Sequence, residues 1–392
     1  MISIETIEDA VYEATRAAVG DAPLATSALV EAIRDRSARY TSDRARLAKP
    51  SSPRADLAAR AAFFTITDAP KIAIPIAELQ SCGAIPSTRP LRVVDLGAGC
   101  GAMSLGLLAA LDMPLSITAI DRDRDALGIA AQAIRALAQA STSEPRASFV
   151  TRVEDALSAA IPPCDLVVMG TVLNELPSDA ARLALVERAL AAIGDDGAVI
   201  LIEPALRDTT RALHVLRDAV IARGKGHVFA PCTRQGAPCP ALADPTDWCH
   251  EHRPIGVAPR LPPRTHELAR LTHLRDDGLK LSYLVLRKQA LSIADDAWRI
   301  VGTPWQQKGK LEVLACGNAG RVTLRLLKRH RAPGNRAIED VAKGHVVRVH
   351  RDQRPSSDPP DHVAADAPTS DGPARIEITD DVRVEIVFPR RE

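Results

Sequence analysis

The sequence predicts an α/β protein: a doubly wound, mostly parallel sheet with a helical region before it, a Cys-rich insertion within it and a small β module after it. Three observations predict this. From Leu91 to Pro204, apolar runs of strand length alternate with stretches of helix length, the pattern of parallel strands joined by crossover helices. The first of these strands leads into DLGAGCG, where Gly97, Gly99 and Gly101 precede an apolar helix. From Trp298 onward the pattern becomes short alternating runs broken by Gly and Pro, typical of a small β unit.

At 392 residues the chain is long enough for two or three domains. Its formal net charge of +1 points to no partner, so the distribution of charge matters more than the total. Seven cysteines form an odd set. The opening MISIETIEDAVYEA lacks the apolar core of a secretory signal and the Arg-rich pattern of a transit peptide. No apolar run approaches the length of a membrane span. The expectation is a bacterial cytosolic protein, Ala- and Arg-rich, whose cysteines are not a disulfide framework.

Taken in order, residues from about Ile7 to Leu79 read as helices, with apolar spacing in VYEATRAAV and LATSALVEAIRDRSARY. The basic arm RARLAKPSSPRADLAARAAFFTI can cover a face of the next domain or touch a polyanion. LRVVDL is the first strand, and glycines after it let backbone approach a ligand without a Cβ in the way. The second strand, SITAID, ends in Asp121, where a carboxylate can take both ribose hydroxyls of a nucleoside. ASFVTRVEDAL then brings Glu154 and Asp155, and an acid there can meet an adenine amino group. CDLVVMGTVLNEL opens into a polar turn at Asn174 and Glu175, followed by a helix over Ser178–Ile193 and the strand AVILIEP. A helix over Thr209–Arg223 follows, and HVFAP and LKLSYLVLR read as paired strands flanking the Cys-rich loop.

That loop holds Cys232, Cys239 and Cys249 in a Pro-rich run, and Cys316 is a fourth candidate in LACGNAG. Ordering a long irregular loop opposes chain entropy, and a metal centre held by soft thiolates is one reason for it to be ordered. The spacing C-x6-C-x9-C contains no tight zinc chelate, which favours an iron–sulfur cluster. His250 and His252 keep a Cys3His zinc site open, and buried inert thiols are the remaining alternative. The Arg321–Arg351 segment is dense in Arg, Lys and His, an RNA-binding signature on a small β module or a solvated edge guarded by charge. The expected organisation is a helical region over 1–85, a nucleoside-binding domain over 86–290 with its insertion at 231–254, a basic OB-like module over 296–351, a linker over 352–374 and a C-terminal strand over 375–392.

DLGAGCG departs from the dinucleotide G-x-G-x-x-G spacing and resembles the first motif of class I S-adenosylmethionine methyltransferases, E/D-x-G-x-G-x-G. That resemblance implies a Rossmann-like fold. It also implies that Gly97, Gly99 and Gly101 cradle the methionine end of S-adenosyl-L-methionine, that Asp95 lies beside its amino group and that Asp121 takes its ribose. More of the chain, VVDLGAGCGAMSLGL, VLNELP, LIEPAL, APCTRQGAPCP, DWCHEHR, LKLSYLVLRK and KGKLEVLACGNAGRV, resembles the methyltransferase-like proteins associated with assembly of the mitochondrial small ribosomal subunit and their bacterial relatives. The resemblance covers roughly residues 20 to 350. It implies a [4Fe–4S] cluster on Cys232, Cys239, Cys249 and Cys316 and small-subunit ribosomal RNA as partner; zinc is the alternative metal, and a monomer is the expected state. Cys100 stands where the family often has Pro, and the tail beyond Arg351 matches nothing. LNEL lacks the Pro-Pro-Tyr/Phe of base-amine methylases, and the radical C-x3-C-x2-C spacing is absent, so no catalytic residue is assigned. The expected function is methyl transfer to that RNA, or non-catalytic assembly of the subunit.

Overall fold

The computed structural model describes residues 2–41, 50, 52–86, 88–139, 147–254, 260–275, 278–351 and 374–389. The N-terminal region is helical: α1 (Ile4–Val19), α2 (Thr26–Thr41), α3 (Pro53–Ala59), a π-helical turn at Arg60–Thr65, α4 (Ile66–Asp68) and α5 (Ala73–Ser81). Ser3 and Ser52 cap α1 and α3, accepting from the N–H groups of Thr6 and Ala55. Residues 44–49 of the expected basic arm lie outside the described residues.

An alternating α/β segment follows: β1 (Leu91–Leu96), α6 (Ala102–Ala110), β2 (Leu115–Asp121), α7 (Arg124–Gln139), β3 (Ala147–Val153), β4 (Cys164–Gly170), α8 (Asp179–Ala192), β5 (Ile193–Glu203) and α9 (Arg207–Ala222). Then come β6 (His227–Ala230), β7 (Glu251–Pro254), α10 (Pro263–Thr272) and β8 (Gly278–Arg287). The sheet order is β3-β2-β1-β4-β5-β8-β6, with β7 also on β8. Strands β1 to β5 run parallel, and β8 is antiparallel to β5, β6 and β7. This is the expected Rossmann-like doubly wound sheet, and the Cys-rich loop leaves and re-enters it between β6 and β7. The central strands read as continuous apolar runs because both faces are covered. One face packs on α1, the Phe63 turn and α7, the other on α8 and α9.

A second sheet contains β9 (Ala297–Ile300), β10 (Trp305–Gln307), β11 (Lys310–Gly317), β12 (Gly320–Leu327), β13 (Val346–Arg351), β14 (Ala374–Ile378) and β15 (Val382–Phe388). Its order is β14-β12-β11-β9-β13-β15, with β10 on β11. The single strand expected over 375–392 is therefore two strands at opposite ends of this sheet. The reason is pairing: β14 runs parallel to β12, and β15 is antiparallel to β13. Each contributes to the module's core, through Ile376, Ile378, Val382 and Val384. The Pro-rich stretch from Pro355 to Pro373 lies outside the described residues. Among the described residues, no helix is long and apolar enough to cross a membrane.

The sheets are joined by a buried polar cluster. Arg299 of β9 donates to Glu78 of α5 at 2.6 Å, to the carbonyl of Pro231 at 2.7 Å and to that of Gly344 at 2.7 Å. Tyr283 of β8 donates to the same Glu78 oxygen at 2.9 Å. Glu78 is 0% and Arg299 3% exposed, so each charge depends on the other.

Candidate functional site: a glycine loop and a four-cysteine cavity

The first part of the site lies at the C-terminal edge of the parallel sheet, where ligands enter doubly wound folds. After β1 the backbone turns sharply: Gly97 and Ala98 donate to the carbonyl of Ile120 at 2.7 and 3.1 Å, and Gly101 donates to that of Ala98 at 2.8 Å. The three glycines play different parts. A Cβ on Gly97 would lie 2.4 Å from Val172, and one on Gly101 2.9 Å from Ala130, both at positive φ. Packing and backbone conformation exclude side chains there. At Gly99 a Cβ would meet only the Arg60 guanidinium, at 3.5 Å, so this glycine leaves the approach open.

Asp121 ends β2 and receives the loop: its carboxylate accepts from the N–H of Gly99 and of Asp123, both at 2.8 Å. Asp95 is 1% exposed. One of its oxygens accepts from the N–H and the hydroxyl of Ser104, at 3.1 and 2.6 Å, and the other has no partner. Burial lifts its pKa to about 6 despite those bonds. An unsatisfied buried oxygen beside a glycine turn suits a cationic ligand group. Asp155 is exposed, and its carboxylate accepts from the N–H of Leu157 at 2.8 Å. It therefore shapes the turn after β3, whose neighbour Glu154 donates its N–H to the Asp121 carbonyl at 3.1 Å.

The helical region supplies residues that the sequence reading missed. Arg60, in the π-helical turn, bonds Asp123 beside the loop. Tyr40 of α2 donates to Glu175, in the turn after β4, at 3.1 Å. Glu203 ends β5 with 2% exposure. One carboxylate oxygen accepts from the N–H of Leu173 at 2.8 Å and the other has no partner, and burial pushes its pKa up to about 8. Nothing in the sequence marks Arg60 among the many arginines, because its meaning depends on a helix packing back over a distant loop.

The second part is a cavity of ≈ 50 Å³ between the two sheets, several times the roughly 10–15 Å³ that one water requires. Cys232, Cys239, Cys249 and Cys316 all line it, with His214, Arg217, His250 and Arg321. Three of these thiols come from the loop and one from β11, so all four candidates meet. His250 is at the wall, stacked on Trp248 at 4.1 Å, whereas His252 is not part of the lining. Burial raises the thiol pKa of Cys239 to about 11 and of Cys249 to about 12, and the Cys232 sulfur adds to both. Cys316 is driven higher still by burial and by Cys232 and Cys249. Four thiols this close resist ionising together unless a cation compensates them. Among the described residues, no three His, Cys, Asp or Glu side chains are arranged to hold a metal ion.

One face of α9 anchors the loop. Arg211 donates to the carbonyls of Ala241, Asp244 and Asp247 at 2.9, 2.7 and 2.6 Å. Arg217, 1% exposed, donates to those of Ala237 and Arg234 at 3.0 and 2.7 Å. Asp218 accepts from the Cys239 N–H at 2.9 Å. His214 accepts from the Cys249 N–H at 3.2 Å. Burial, with the nearby Arg217 and Arg321 cations, lowers its pKa to about 4, which keeps Nε2 an acceptor. From the other side, the Thr233 hydroxyl donates to the Cys316 carbonyl at 3.1 Å, and Arg321 pairs with Asp247.

The basic stretch is less bare than its composition suggests. Arg325, Arg348 and Arg351 pair with Glu377, Glu385 and Asp381 of the terminal segment, at 2.6, 3.3 and 3.8 Å.

Solved structures with a similar fold include the plantazolicin methyltransferase BpumL in complex with SAH, at 12% identity. The match covers 66% of this chain and 96% of that one, with a TM-score of 0.35. The pyocyanin biosynthetic protein PhzM is 23% identical over 44% of each chain, with a TM-score of 0.29, so this chain spans less than half of that protein. No curated protein sequence matches. A family profile described as the mitochondrial small ribosomal subunit Rsm22 matches residues 61–353, from the π-helical turn through β13 of the second sheet. With three quarters of its length matched, the chain belongs to the Rsm22 family of the mitochondrial small ribosomal subunit.

Proposed function

We propose that the chain binds S-adenosyl-L-methionine at the glycine loop and a [4Fe–4S] cluster at the four cysteines, and acts on or with small-subunit ribosomal RNA during subunit assembly. The observation that carries this is the meeting of Cys232, Cys239, Cys249 and Cys316 around one cavity between the nucleoside-type sheet and the β module. Four thiols lining one cavity, with no tight C-x2-4-C chelate among them, favour a cluster over a single zinc ion. The ribosomal part of the reading rests on the family.

In this reading Gly97 and Gly101 hold the turn, and Gly99 leaves room for the methionine end of the cofactor. The unpartnered Asp95 oxygen faces its ammonium, Asp121 takes the ribose hydroxyls, and Asp155 reaches the adenine amino group. S-adenosylmethionine, when bound, supplies an already activated methyl group, so the chain's task is alignment and exclusion of water. Tyr40 and Arg60 close the helical region over the loop. The four thiolates, held in place by α9, tie the β module to the sheet. The Ala- and Arg-rich composition supports a bacterial setting.

Anaerobic purification with iron, sulfide and zinc analysis tests the metal. About four irons per chain with a broad visible absorbance band is the expected result, and stoichiometric zinc without iron overturns it. A Gly99→Asp chain tests the enzyme reading in cells lacking the protein. Loss of both small-subunit RNA methylation and subunit assembly supports methyl transfer, whereas full rescue of assembly selects a non-catalytic assembly factor.

A further inference from the structure

We propose that the β10–β11 hairpin is a stacking platform for unpaired bases of single-stranded RNA, with Trp305 as the platform and Lys308 and Lys328 as its phosphate contacts. This rests on, and sharpens, the reading of an RNA partner.

Trp305 is 59% exposed, the largest apolar side chain standing in solvent among the described residues. Its neighbours are set by the strand register. Trp305 lies opposite Glu312 on β11, and Gln307 opposite Lys310. The Lys310 ammonium sits over the indole, 5.5 Å from the ring centroid, and pairs with Glu312 at 2.7 Å. One side of the ring is thus steadied by a cation while the residue stays mostly open. The turn itself, Lys308 and Gly309, needs the positive φ of +86° at Gly309. The Gly309 carbonyl accepts from the Lys328 N–H at 2.9 Å, which brings the end of β12 beside the turn. Lys308 and Lys328 are exposed and have no carboxylate partner among the described residues. Arg329, also exposed, follows directly.

This differs from Arg325, Arg348 and Arg351, which are matched with acids from β14, β15 and the turn between them. An indole in solvent beside unmatched lysines combines the two parts of single-strand recognition. The ring offers a π face that accepts a base of any sequence, and the lysines offer charge for the backbone. A duplex buries its base faces, so the platform selects unstacked nucleotides.

Titration of the full chain with short homopolymeric single-stranded RNA, read by tryptophan emission and by fluorescence anisotropy of the RNA, tests this. Trp248 is stacked on His250 and Trp298 is half-buried, so quenching should report Trp305. Trp305→Ala is expected to weaken binding by about 5- to 150-fold, the range for loss of one base–aromatic stack. Trp305→Phe should retain most affinity and lose the quench. Lys308→Gln and Lys328→Gln should each lower the salt dependence by about one phosphate contact. Thermal melting confirms that each variant folds. Equal affinity of wild type and Trp305→Ala, quenching that persists in Trp305→Phe, or equal quenching by duplex RNA overturns the platform alone. No binding of any RNA by the wild-type chain overturns the RNA reading from which it starts.

Discussion

Replacing Arg299 with Met should strip the junction between the sheets of its central donor. In the structure this guanidinium makes three hydrogen bonds of 2.6–2.7 Å, to Glu78, Gly344 and Pro231. Charged hydrogen bonds contribute about 1.5–3 kcal/mol each, but part of that sum offsets the desolvation of the arginine itself. What remains is the penalty of leaving Glu78 buried with only Tyr283, and breaking one side of a buried ion pair costs about 3–5 kcal/mol. With an unfolding entropy of about 2.1 cal/mol/K per residue over 392 residues, the whole chain has about 0.8 kcal/mol/K. The melting temperature should therefore fall by about 4–6 °C if the sheets unfold together. Calorimetry of Arg299→Met and of the double variant Glu78→Gln/Arg299→Met is the assay. The double variant should regain at least about 1 kcal/mol, because glutamine carries no charge and still accepts from Tyr283. A shift below about 1 °C, or a double variant no more stable than the single one, would refute the argument.

Other predictions follow the same geometry. Gly101→Val should abolish binding of S-adenosylhomocysteine by calorimetry, since its Cβ would lie 2.9 Å from Ala130 at a φ of +85°; unchanged binding removes the loop from the site. Glu203, with its pKa raised to about 8 by burial, takes up a proton on folding, so its contribution is fully present below its unfolded value near 4.5 and is lost as pH rises through 8. Glu203→Gln should flatten that part of a stability–pH curve measured by urea unfolding. Arg217→Met removes two carbonyl contacts of the loop, and limited proteolysis should then cut between Cys232 and Cys249 while the glycine loop still binds its ligand. Cys316→Ser should lower bound metal in the anaerobically purified chain and make the β module separately cleavable; full metal content would detach Cys316 from the site.

How much was legible in the residues follows from the range of the interactions. Strand–helix alternation, DLGAGCG and the carboxylate at the end of β2 are local patterns, because hydrophobic period and turn stereochemistry act over a few residues. The pairing of β6 with β8 around a Cys-rich loop was legible for the same reason. The loop singled out three thiols and the family resemblance added Cys316, but their convergence was not local: Cys232 and Cys316 are far apart in sequence and meet only because β11 packs against the loop that α9 pins. Arg217, His214 and Asp218 look like ordinary helix residues until the fold turns that face toward carbonyls and amides of the loop. The terminal segment misled because a Pro-rich stretch separates it from the module. Parallel pairing of β14 with β12 is a long-range choice, made by burying Ile376 and Ile378, and it also brings Glu377 to Arg325. Sequence by itself determined the alternation of strands and helices in the first sheet and the glycine turn after its first strand. Tertiary structure decided which charges stay unmatched, which thiols share a cavity and how the two sheets lock, because burial and pairing are properties of neighbours distant along the chain.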